Sequence, residues 1–282
     1  MIGPARKGRE DPVVDVREEI LRSVRASRVT ASIVAGQAGV VAGVALARKE
    51  AEALGLLVTR MVADATRVGE GDEIARIVGT PRQIVMAEDV LLGLLAKPSG
   101  IATRTREFVA RTNGRPKVVS GGWKKMPATM KEMIRSAVSA GGGHPRIVPG
   151  PFAYLDKNYI EILGGIRESL AAVAHLPGLA KVVQVKGRYA DVASEACDAA
   201  EHDADVVFVD TGNAEDVSRV SESLVRRGLR NKVSLAFGGG VGLEDVDALK
   251  ALDIDILDVG RQIVDAPLLD MRLEIVDARE TT

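Results

Sequence analysis

Two apolar runs near the end of the chain finish on glycine, and together they could bind a phosphate group. The first is Leu235-Ala236-Phe237-Gly238-Gly239-Gly240, and the second is Asp258-Val259-Gly260. Glycine lets backbone N–H groups approach a phosphate closely, and the N-terminus of a following helix adds a favourable dipole. One run alone fits a plain strand-to-helix turn equally well. Because two occur close together, we expect an anion site at the glycines of both runs.

Charged and amide side chains follow the other apolar runs in the second half of the chain. They are Lys124, Lys125, Asp156, Lys157, Gln184, Lys186 and Asp210. Taken singly, each also fits a solvated charge or, for Asp210, a helix cap. Together with the glycines they suit a substrate that carries several phosphates and is bound with Mg²⁺. No Ser-His-Asp order, Walker loop or zinc-ligand spacing occurs, and the pattern does not favour hydride or acyl transfer.

The elements that carry these residues alternate between strand and helix. Strands are predicted at about 118–120, 152–155, 181–185, 205–210, 233–237 and 254–259, with a further candidate at 146–148, and helices are predicted between them, the last over 243–252. Such alternation with short loops is typical of a parallel β/α barrel, whose active site lies at the C-terminal ends of the strands. The sequence thus predicts a partly open barrel of about six or seven strands.

The first part of the chain has a different pattern. An amphipathic helix is predicted over 13–27, strands at 29–36, 56–62 and 73–79, and helices over 45–54 and 82–96. Pro98-Ser99-Gly100 is predicted to interrupt the last helix before a linker helix over 101–111. The expected fold class is α/β: an N-terminal α/β sandwich over 1–112, the barrel over 113–267, and a segment 268–282 that returns to the sandwich.

Composition limits the function classes. The chain has 282 residues, a net charge of −1, and 46% hydrophobic but only 3% aromatic residues. The small net charge makes nucleic acid an unexpected partner. The single cysteine, Cys197, cannot form an internal disulfide and is expected to be a small buried hydrophobe. We also expect no membrane span or signal segment, and a cytoplasmic location.

The order of several motifs resembles one family from about residue 29 onward. These motifs are Ser99-Gly100-Ile101-Ala102-Thr103, Gly141-Gly142-Gly143 with Arg146, Leu155-Asp156-Lys157-Asn158-Tyr159-Ile160, Phe237–Val241, and Asp258–Gly260 with Ala266-Pro267. The family is that of the quinolinate phosphoribosyltransferases, also called carboxylating nicotinate-nucleotide pyrophosphorylases.

The resemblance implies phosphoribosyl transfer from phosphoribosyl pyrophosphate (PRPP) to quinolinate with Mg²⁺, in NAD biosynthesis. Nicotinate mononucleotide, CO₂ and pyrophosphate would be the products. It also implies a head-to-tail homodimer in which one sandwich covers the barrel of the other copy. Carried over, the roles would be catalytic for Lys124, Lys157 and Asp210, metal-binding for Asp210, phosphate-binding for Gly238, Gly239, Gly240 and Gly260, and substrate-binding for Trp123, Lys125, Arg146, Asp156, Gln184 and Asp89.

The chain departs from the family pattern where an acidic acceptor would bind. Trp123 and Asp89 occupy positions of family arginines, Gln184 that of a glutamate, and Asp156-Lys157 inverts a Lys-Asp pair. Neither Trp123 nor Asp89 can grip a dicarboxylate by bidentate pairing. Three alternatives therefore remain: a less acidic nitrogen heterocycle stacked on Trp123, a non-catalytic homologue that binds a phosphate ligand, or another phosphate-handling barrel. The last alternative includes an isomerase or an aldolase. An aldolase would need a buried Schiff-base lysine, and Lys157 and Lys186 are the plausible positions for it.

Overall fold

The computed structural model describes residues 15–279, which form ten α-helices and twelve strands. The helices are α1 Val16–Ile20, α2 Val44–Ala53, α3 Pro81–Thr112, α4 Ala128–Ala140, α5 Lys157–Leu163, α6 Ile166–Val173, α7 Val192–Glu201, α8 Ala214–Arg226, α9 Val246–Leu249 and α10 Arg261–Val264. The strands are β1 Arg28–Ala35, β2 Gly39–Val40, β3 Leu57–Met61, β4 Arg67–Val68, β5 Glu73–Gly79, β6 Lys117–Val119, β7 Phe152–Leu155, β8 Ala180–Val185, β9 Val206–Asp210, β10 Ser234–Gly238, β11 Ile256–Asp258 and β12 Met271–Arg279.

The N-terminal unit is a four-stranded antiparallel sheet in the order β12-β1-β5-β3, with β2 and β4 as a separate pair. The last strand of the chain, β12, pairs with β1 from Arg28↔Arg279 to Ala35↔Met271. Helices α2 and α3 share a hydrophobic core with this sheet, in which Ile33, Ile74 and Leu91 are fully buried. The sheet therefore combines the start and the end of the chain.

Helix α3 runs through the predicted break without interruption. Pro98 lies inside the 32-residue helix, so the predicted stop at Pro98-Ser99-Gly100 is wrong. The side chain of Ser99 accepts a hydrogen bond from the backbone N–H of Ala42 (2.9 Å). A Cβ on Gly100 would lie 1.9 Å from the carbonyl oxygen of Pro267. Because both neighbouring segments pack closely against this turn, tertiary contacts hold the helix across its proline.

The second unit is an open barrel of six parallel strands in the order β6-β11-β10-β9-β8-β7. The predicted mixed α/β class and strand number are confirmed. The two edge strands do not pair with each other, and a single bridge, Val119↔His144, lies beside β6. The strand predicted at 146–148 is wrong: the segment from 145 to 150 consists of bends. Pro145, Pro149 and Pro151 lack N–H donors, so this segment is poorly suited to a strand ladder.

Two helices are shorter than predicted, and a third was not predicted. The predicted helix at 13–27 is reduced to α1 and a 3-10 turn at Arg22–Val24, and residues 13–14 lie outside the described part. The helix predicted at 243–252 is the single turn α9, and α5 at Lys157–Leu163 was not predicted. Cys197 is buried in α7 as predicted, and burial raises the pKa of its thiol. Within residues 15–279, no helix is both long and apolar enough to cross a membrane.

Candidate active site

Asp210, the last residue of β9, is held by two side chains from β8 and the loop after it. The ammonium group of Lys186 lies 2.8 Å from Oδ2 of Asp210, and Nε2 of Gln184 donates a hydrogen bond to the same oxygen. Lys186 also donates to the backbone carbonyl of Asp210. The sequence-predicted residues Gln184, Lys186 and Asp210 therefore meet at the barrel mouth, as parallel strands require.

Gln184 also connects β8 to the start of α5. Its Oε1 accepts a hydrogen bond from the backbone N–H of Lys157 (3.0 Å). Asp156 caps the same helix, its Oδ1 accepting from the N–H groups of Asn158 (2.9 Å) and Tyr159 (3.2 Å). The inverted Asp-Lys order thus places the carboxylate at the helix N-cap. The side chain of Lys157 is exposed to solvent.

Lys124 and Tyr154 meet across the open seam of the barrel. Lys124 belongs to the 3-10 turn Gly122–Lys125 after β6, and its ammonium group lies 3.9 Å from the centre of the Tyr154 ring. Burial of the ammonium group lowers the pKa of Lys124, although Asp258 and Asp156 oppose this shift. Burial also raises the pKa of Tyr154, and three nearby carboxylates raise it further. The Tyr154 hydroxyl is therefore neutral.

Asp258, the last residue of β11, contributes a third strand-end carboxylate. Its Oδ1 accepts a hydrogen bond from the N–H of Gly121 (3.0 Å). Burial raises the pKa of Asp258 to about 6, and the charge of Asp210 adds to this, while the Gly121 hydrogen bond, Lys124 and Lys125 oppose it. Sequence reasoning missed Asp258 and Tyr154 as site residues. The rule that found Asp210, a carboxylate at a strand end, applies equally to Asp258.

The glycine loop after β10 lies between two of these carboxylates. In the sheet, Gly238 is in register with Asp210 on one side and Asp258 on the other. Gly239 and Gly240 have φ angles of +110° and +104°. A Cβ on Gly239 would lie 2.5 Å from the N atom of Gly212, whereas one on Gly240 or Gly260 would meet no atom within 4 Å. The loop is thus packed on one side and open on the other, which leaves room for an anion.

The helix dipole expected from the sequence is not available to this loop. The helix after β10, α9, begins only at Val246 and spans four residues. The N–H of Gly242 donates to the side chain of Asp245 (2.8 Å). Any anion at the loop would therefore be bound by backbone N–H groups of the glycines themselves.

Trp123 and Arg146 lie beside the mouth with contacts of their own. The indole N–H of Trp123 donates to the carbonyl oxygen of Pro145 (2.7 Å), and the guanidinium carbon of Arg135 lies 4.9 Å from the centre of its ring. Arg146 is exposed and lines an open cavity of about 530 Å³ together with Arg135 and Asp64. Arg135 therefore lies over the ring on which a substrate was expected to stack. Stacking of a substrate on Trp123 stays a prediction.

Lys125 and Asp89 differ in how they relate to the mouth. Lys125 ends the turn that carries Lys124 and is exposed. Asp89 lies in the first half of α3, with 61% of its side chain exposed, and forms an ion pair with Arg17 (2.6 Å). Within one chain, the structure places Asp89 in the N-terminal unit and pairs it there. Among residues 15–279, no group of three or more His, Cys, Asp or Glu side chains could hold a metal ion.

Comparison with known families covers both units. Residues 15–99 match the model of the quinolinate phosphoribosyl transferase N-terminal domain. Residues 101–274 match the model of the C-terminal domain of the same family. The boundary between the two matches falls inside α3, at the buried turn around Pro98.

Two archaeal relatives are each described as a probable nicotinate-nucleotide pyrophosphorylase (carboxylating). The one from Methanothermobacter thermautotrophicus is 30% identical over 253 residues, 89% of this chain and 90% of the relative. The one from Archaeoglobus fulgidus is 30% identical over 250 residues, 88% and 95% of the two chains. The nicotinate-nucleotide pyrophosphorylase structure from Francisella tularensis has the same fold, with a TM-score of 0.79 at 22% identity, covering 94% and 91% of the two chains. The chain belongs to the quinolinate phosphoribosyl transferase family.

Proposed function

We propose that this protein transfers the phosphoribosyl group of PRPP to the ring nitrogen of a pyridine-type acid, with quinolinate as the default acceptor. The products with quinolinate are nicotinate mononucleotide, CO₂ and pyrophosphate, a step of NAD biosynthesis. Family membership and the names of the relatives support this reaction. The observation that carries it is the register at the barrel mouth, where the Gly238 loop lies between the carboxylates of Asp210 and Asp258.

In this proposal the glycine loop binds the 5′-phosphate and Asp210 faces the ribose. The bond from C1′ to pyrophosphate breaks with its electron pair on the leaving oxygen, and the ring nitrogen supplies the pair for the new bond. Positive charge develops on the ribose, so a fixed carboxylate nearby stabilises the transition state. Lys124, with Lys125, Lys157 and Arg146 around the mouth, supplies cationic groups for the pyrophosphate or the acid.

Asp210 fits the expected role of a Mg²⁺ ligand. Magnesium is commonly bound through one or two carboxylates together with substrate phosphates, so a complete protein cage is not required. Lys186 and Gln184 both use Oδ2 of Asp210, and no described residue hydrogen-bonds to Oδ1. When bound, Mg²⁺ would neutralise charge on the pyrophosphate.

We further propose that two copies associate head to tail, as the family resemblance implies. Asp89 lies in the N-terminal unit, paired with Arg17. It would reach an active site only as a residue of the partner subunit. Light scattering at the concentrations used for activity assays tests this part, and a monomer that turns over substrate at full rate would contradict it.

The lysine contacts do not favour the aldolase alternative. A Schiff-base lysine must be neutral to attack a carbonyl. Lys186 is an ion-pair partner of Asp210, and Lys157 is exposed to solvent. Neither lysine lies in a buried apolar pocket, the setting that activates a Schiff-base lysine.

The proposal is tested by pyrophosphate release from PRPP and Mg²⁺ with quinolinate, in the wild type and in Asp210→Asn. We expect release in the wild type and a loss of at least about 100-fold in kcat/KM in the variant. Asp265→Asn, a change at an exposed aspartate beyond α10, serves as the matched control. Binding of PRPP without release with any acceptor would instead support the non-catalytic alternative.

A further inference from the structure

The guanidinium group of Arg135 lies beside the barrel mouth, although the sequence assigned it no role. Arg135 belongs to α4, and its guanidinium carbon lies 4.9 Å from the centre of the Trp123 ring. A guanidinium group at this distance is attracted to the face of an indole ring. The indole N–H donates to the carbonyl oxygen of Pro145 (2.7 Å), which fixes the ring in turn. Trp123 therefore holds Arg135 next to the turn that carries Lys124.

Glu132, three residues earlier in α4, occupies one edge of this guanidinium group. Its Oε2 accepts hydrogen bonds from Nε (3.1 Å) and from Nη2 of Arg135. Among residues 15–279, none accepts a hydrogen bond from Nη1. The ring of Trp123 and the carboxylate of Glu132 thus fix the plane of the guanidinium group and leave its Nη1 side available to a ligand.

The cavity of about 530 Å³ beside the mouth gives a ligand access to Arg135. Its wall contains Arg135 and Arg146, with the carboxylates of Asp64 and Glu132. Asp64 accepts a hydrogen bond from the backbone N–H of Val44 (3.0 Å). Arg146 is exposed and forms no ion pair with any residue among 15–279. The cavity therefore presents two guanidinium groups, of which only one is paired with a carboxylate of the chain.

Net charge does not select the ligand of this region, because cations and carboxylates are about equal in number around the mouth and the cavity. The cations are Lys124, Lys125, Arg135, Arg146, Lys157 and Lys186, and the carboxylates are Asp64, Glu132, Asp156, Asp210 and Asp258. Among these cations only the two arginines can bind a carboxylate through two parallel hydrogen bonds. Arg135 is the one whose plane is fixed in advance, and a preorganised group loses less entropy when its ligand binds.

We propose that Arg135 binds one carboxylate of the acceptor acid through its Nη1 side, with Trp123 and Glu132 as positioning residues. This inference rests on the proposed function and adds a carboxylate-binding residue to it. An acid with two carboxylates, such as quinolinate, then meets Arg135 in addition to Lys124 and Arg146. Trp123 acts through Arg135, by holding its guanidinium group, and not by stacking on the substrate.

Binding of phthalate tests the inference without a transfer step. Phthalate has two adjacent carboxylates, as quinolinate does, but no ring nitrogen, so it cannot accept a phosphoribosyl group. Trp123 is the only tryptophan of the chain, and its fluorescence therefore reports binding beside Arg135. We expect the Kd for phthalate to rise by at least about 10-fold in Arg135→Gln and by at least about 3-fold in Arg135→Lys, which keeps the charge but not the fork of donors.

Arg104→Gln is the matched control for these variants. Arg104 and Arg135 each have 30% of their side chain exposed, and each pairs with a glutamate three residues away in its own helix. Arg104→Gln should bind phthalate as the wild type does. No binding of phthalate by the wild type, or an equal Kd in the wild type and Arg135→Gln, would overturn the inference. If Arg135→Gln does not fold, the Kd of Arg135→Lys decides.

The positioning role of Trp123 is tested by combining two changes. Trp123→Ala removes the ring but no charge, and we expect it to raise the Kd for phthalate by about 5-fold. The double variant Trp123→Ala with Arg135→Gln should bind no more weakly than Arg135→Gln alone, because the ring acts through the arginine. Calorimetry measures all four proteins, since the double variant has no tryptophan. Losses that multiply would contradict the positioning role.

Kinetics with quinolinate separates this inference from the proposed function. In Arg135→Gln we expect KM for quinolinate to rise by at least about 10-fold and kcat to change by less than about 3-fold, because the carboxylate is bound equally before and during transfer. If phthalate binding depends on Arg135 but the wild type releases no pyrophosphate with quinolinate, only the transfer reaction is rejected. Wild-type turnover with an unchanged KM in Arg135→Gln would overturn the inference and leave the proposed function intact.

Discussion

At the residue scale, the amide of Gln184 makes two contacts that a carboxylate could not make together. Gln184 accepts from the backbone N–H of Lys157 and donates to Asp210 at the same time. A carboxylate could do only the first and would repel Asp210. The amide therefore connects the parallel strands β8 and β9 to the start of helix α5 without adding charge.

Lys124→Ala should abolish phosphoribosyl transfer without unfolding the protein. The change removes the cation over the Tyr154 ring, on which both the leaving pyrophosphate and the acid depend in the proposed mechanism. We expect a loss of at least about 100-fold in kcat/KM, measured as pyrophosphate release. Lys49→Ala, at an exposed lysine of α2, is the control, and unchanged turnover in Lys124→Ala would refute the assigned role.

Asp258 should make the protein less stable as the pH rises from about 4 to about 6. Its folded-state pKa is raised to about 6 from 3.8, so the folded state binds more protons than the unfolded state in this range, and the free energy of unfolding falls with pH. Asp258→Asn should therefore gain on the order of 2–3 kcal/mol over the wild type above pH 7 and nothing below pH 4. Urea unfolding of the wild type and Asp258→Asn at pH 3.5 and pH 8 measures the difference in their free energies of unfolding. An equal difference at the two pH values would contradict the raised pKa of Asp258.

At the scale of elements, the loop after β8 is built around one buried carboxylate. Glu195 of α7 is 4% exposed. It accepts hydrogen bonds from the backbone N–H groups of five successive residues, 186–190, at 2.6–3.4 Å. This loop carries Lys186, which in turn holds Asp210. Glu195 thus positions a site residue from a helix outside the mouth.

Glu195→Gln should loosen this loop. The new amide group would place its N–H atoms against backbone N–H donors, leaving buried groups without partners. We expect a loss of roughly 2–4 kcal/mol in the free energy of unfolding and a fall in kcat larger than the rise in KM. Thermal unfolding and steady-state kinetics check the two effects, with Glu222→Gln on the exposed side of α8 as control. Full activity at wild-type stability would contradict the positioning role.

Helix α3 offers a matched pair of glycine variants. In Gly100→Ala the new methyl group would lie 1.9 Å from the carbonyl oxygen of Pro267, whereas in Gly93→Ala it would meet nothing within 4 Å. We expect Gly100→Ala to destabilise the protein by more than about 2 kcal/mol, because the backbone must move. Gly93→Ala should stabilise it by about 0.5–1 kcal/mol, since alanine favours a helix interior. Chemical unfolding of both variants measures the difference, and similar stabilities would contradict the close packing at Pro267.

At the scale of the whole molecule, α3 contributes buried residues both to the core of the N-terminal unit and to the largest core of the barrel unit. The ammonium group of Lys97, in the middle of α3, donates to the carbonyl oxygens of Val264 (3.1 Å) and Ala266 (2.7 Å). From there the chain leaves the barrel and adds β12 to the N-terminal sheet. The N-terminal sheet therefore needs β12, the strand that follows the barrel, and the end of the barrel is held by α3, the helix that follows the sheet.

Deletion of residues 271–282 should destabilise the N-terminal unit and cause aggregation. Without β12, strand β1 would become an unpaired edge from Arg28 to Ala35, the segment that pairs with β12, and such edges pair with other molecules. Size-exclusion chromatography and circular dichroism compare the deletion with Ile275→Ser, a change at an exposed position of the same strand. A monodisperse, cooperatively unfolding deletion variant would contradict this expectation.

The sequence alone located the six strands of the barrel, with one false strand at 146–148, and several of the charged residues at their ends. Each buried parallel strand is a short apolar run, and the residue after it must lie at the mouth, which is why Gln184, Lys186 and Asp210 could be found together from local pattern. The continuous α3, the bends at 145–150 and the single-turn α9 could not be found in this way. Their form depends on contacts with segments far away in the chain.

Only the tertiary structure decided which charged groups at the barrel mouth pair with one another. Whether Lys186 is free or paired, and whether Asp258 faces solvent or Lys124, depends on distances between strands that are separated by up to about 140 residues in sequence. Residue types and spacing carry no such distances. Local pattern predicts which groups reach the mouth because strand direction is a local property, and packing decides which of them remain available to a substrate.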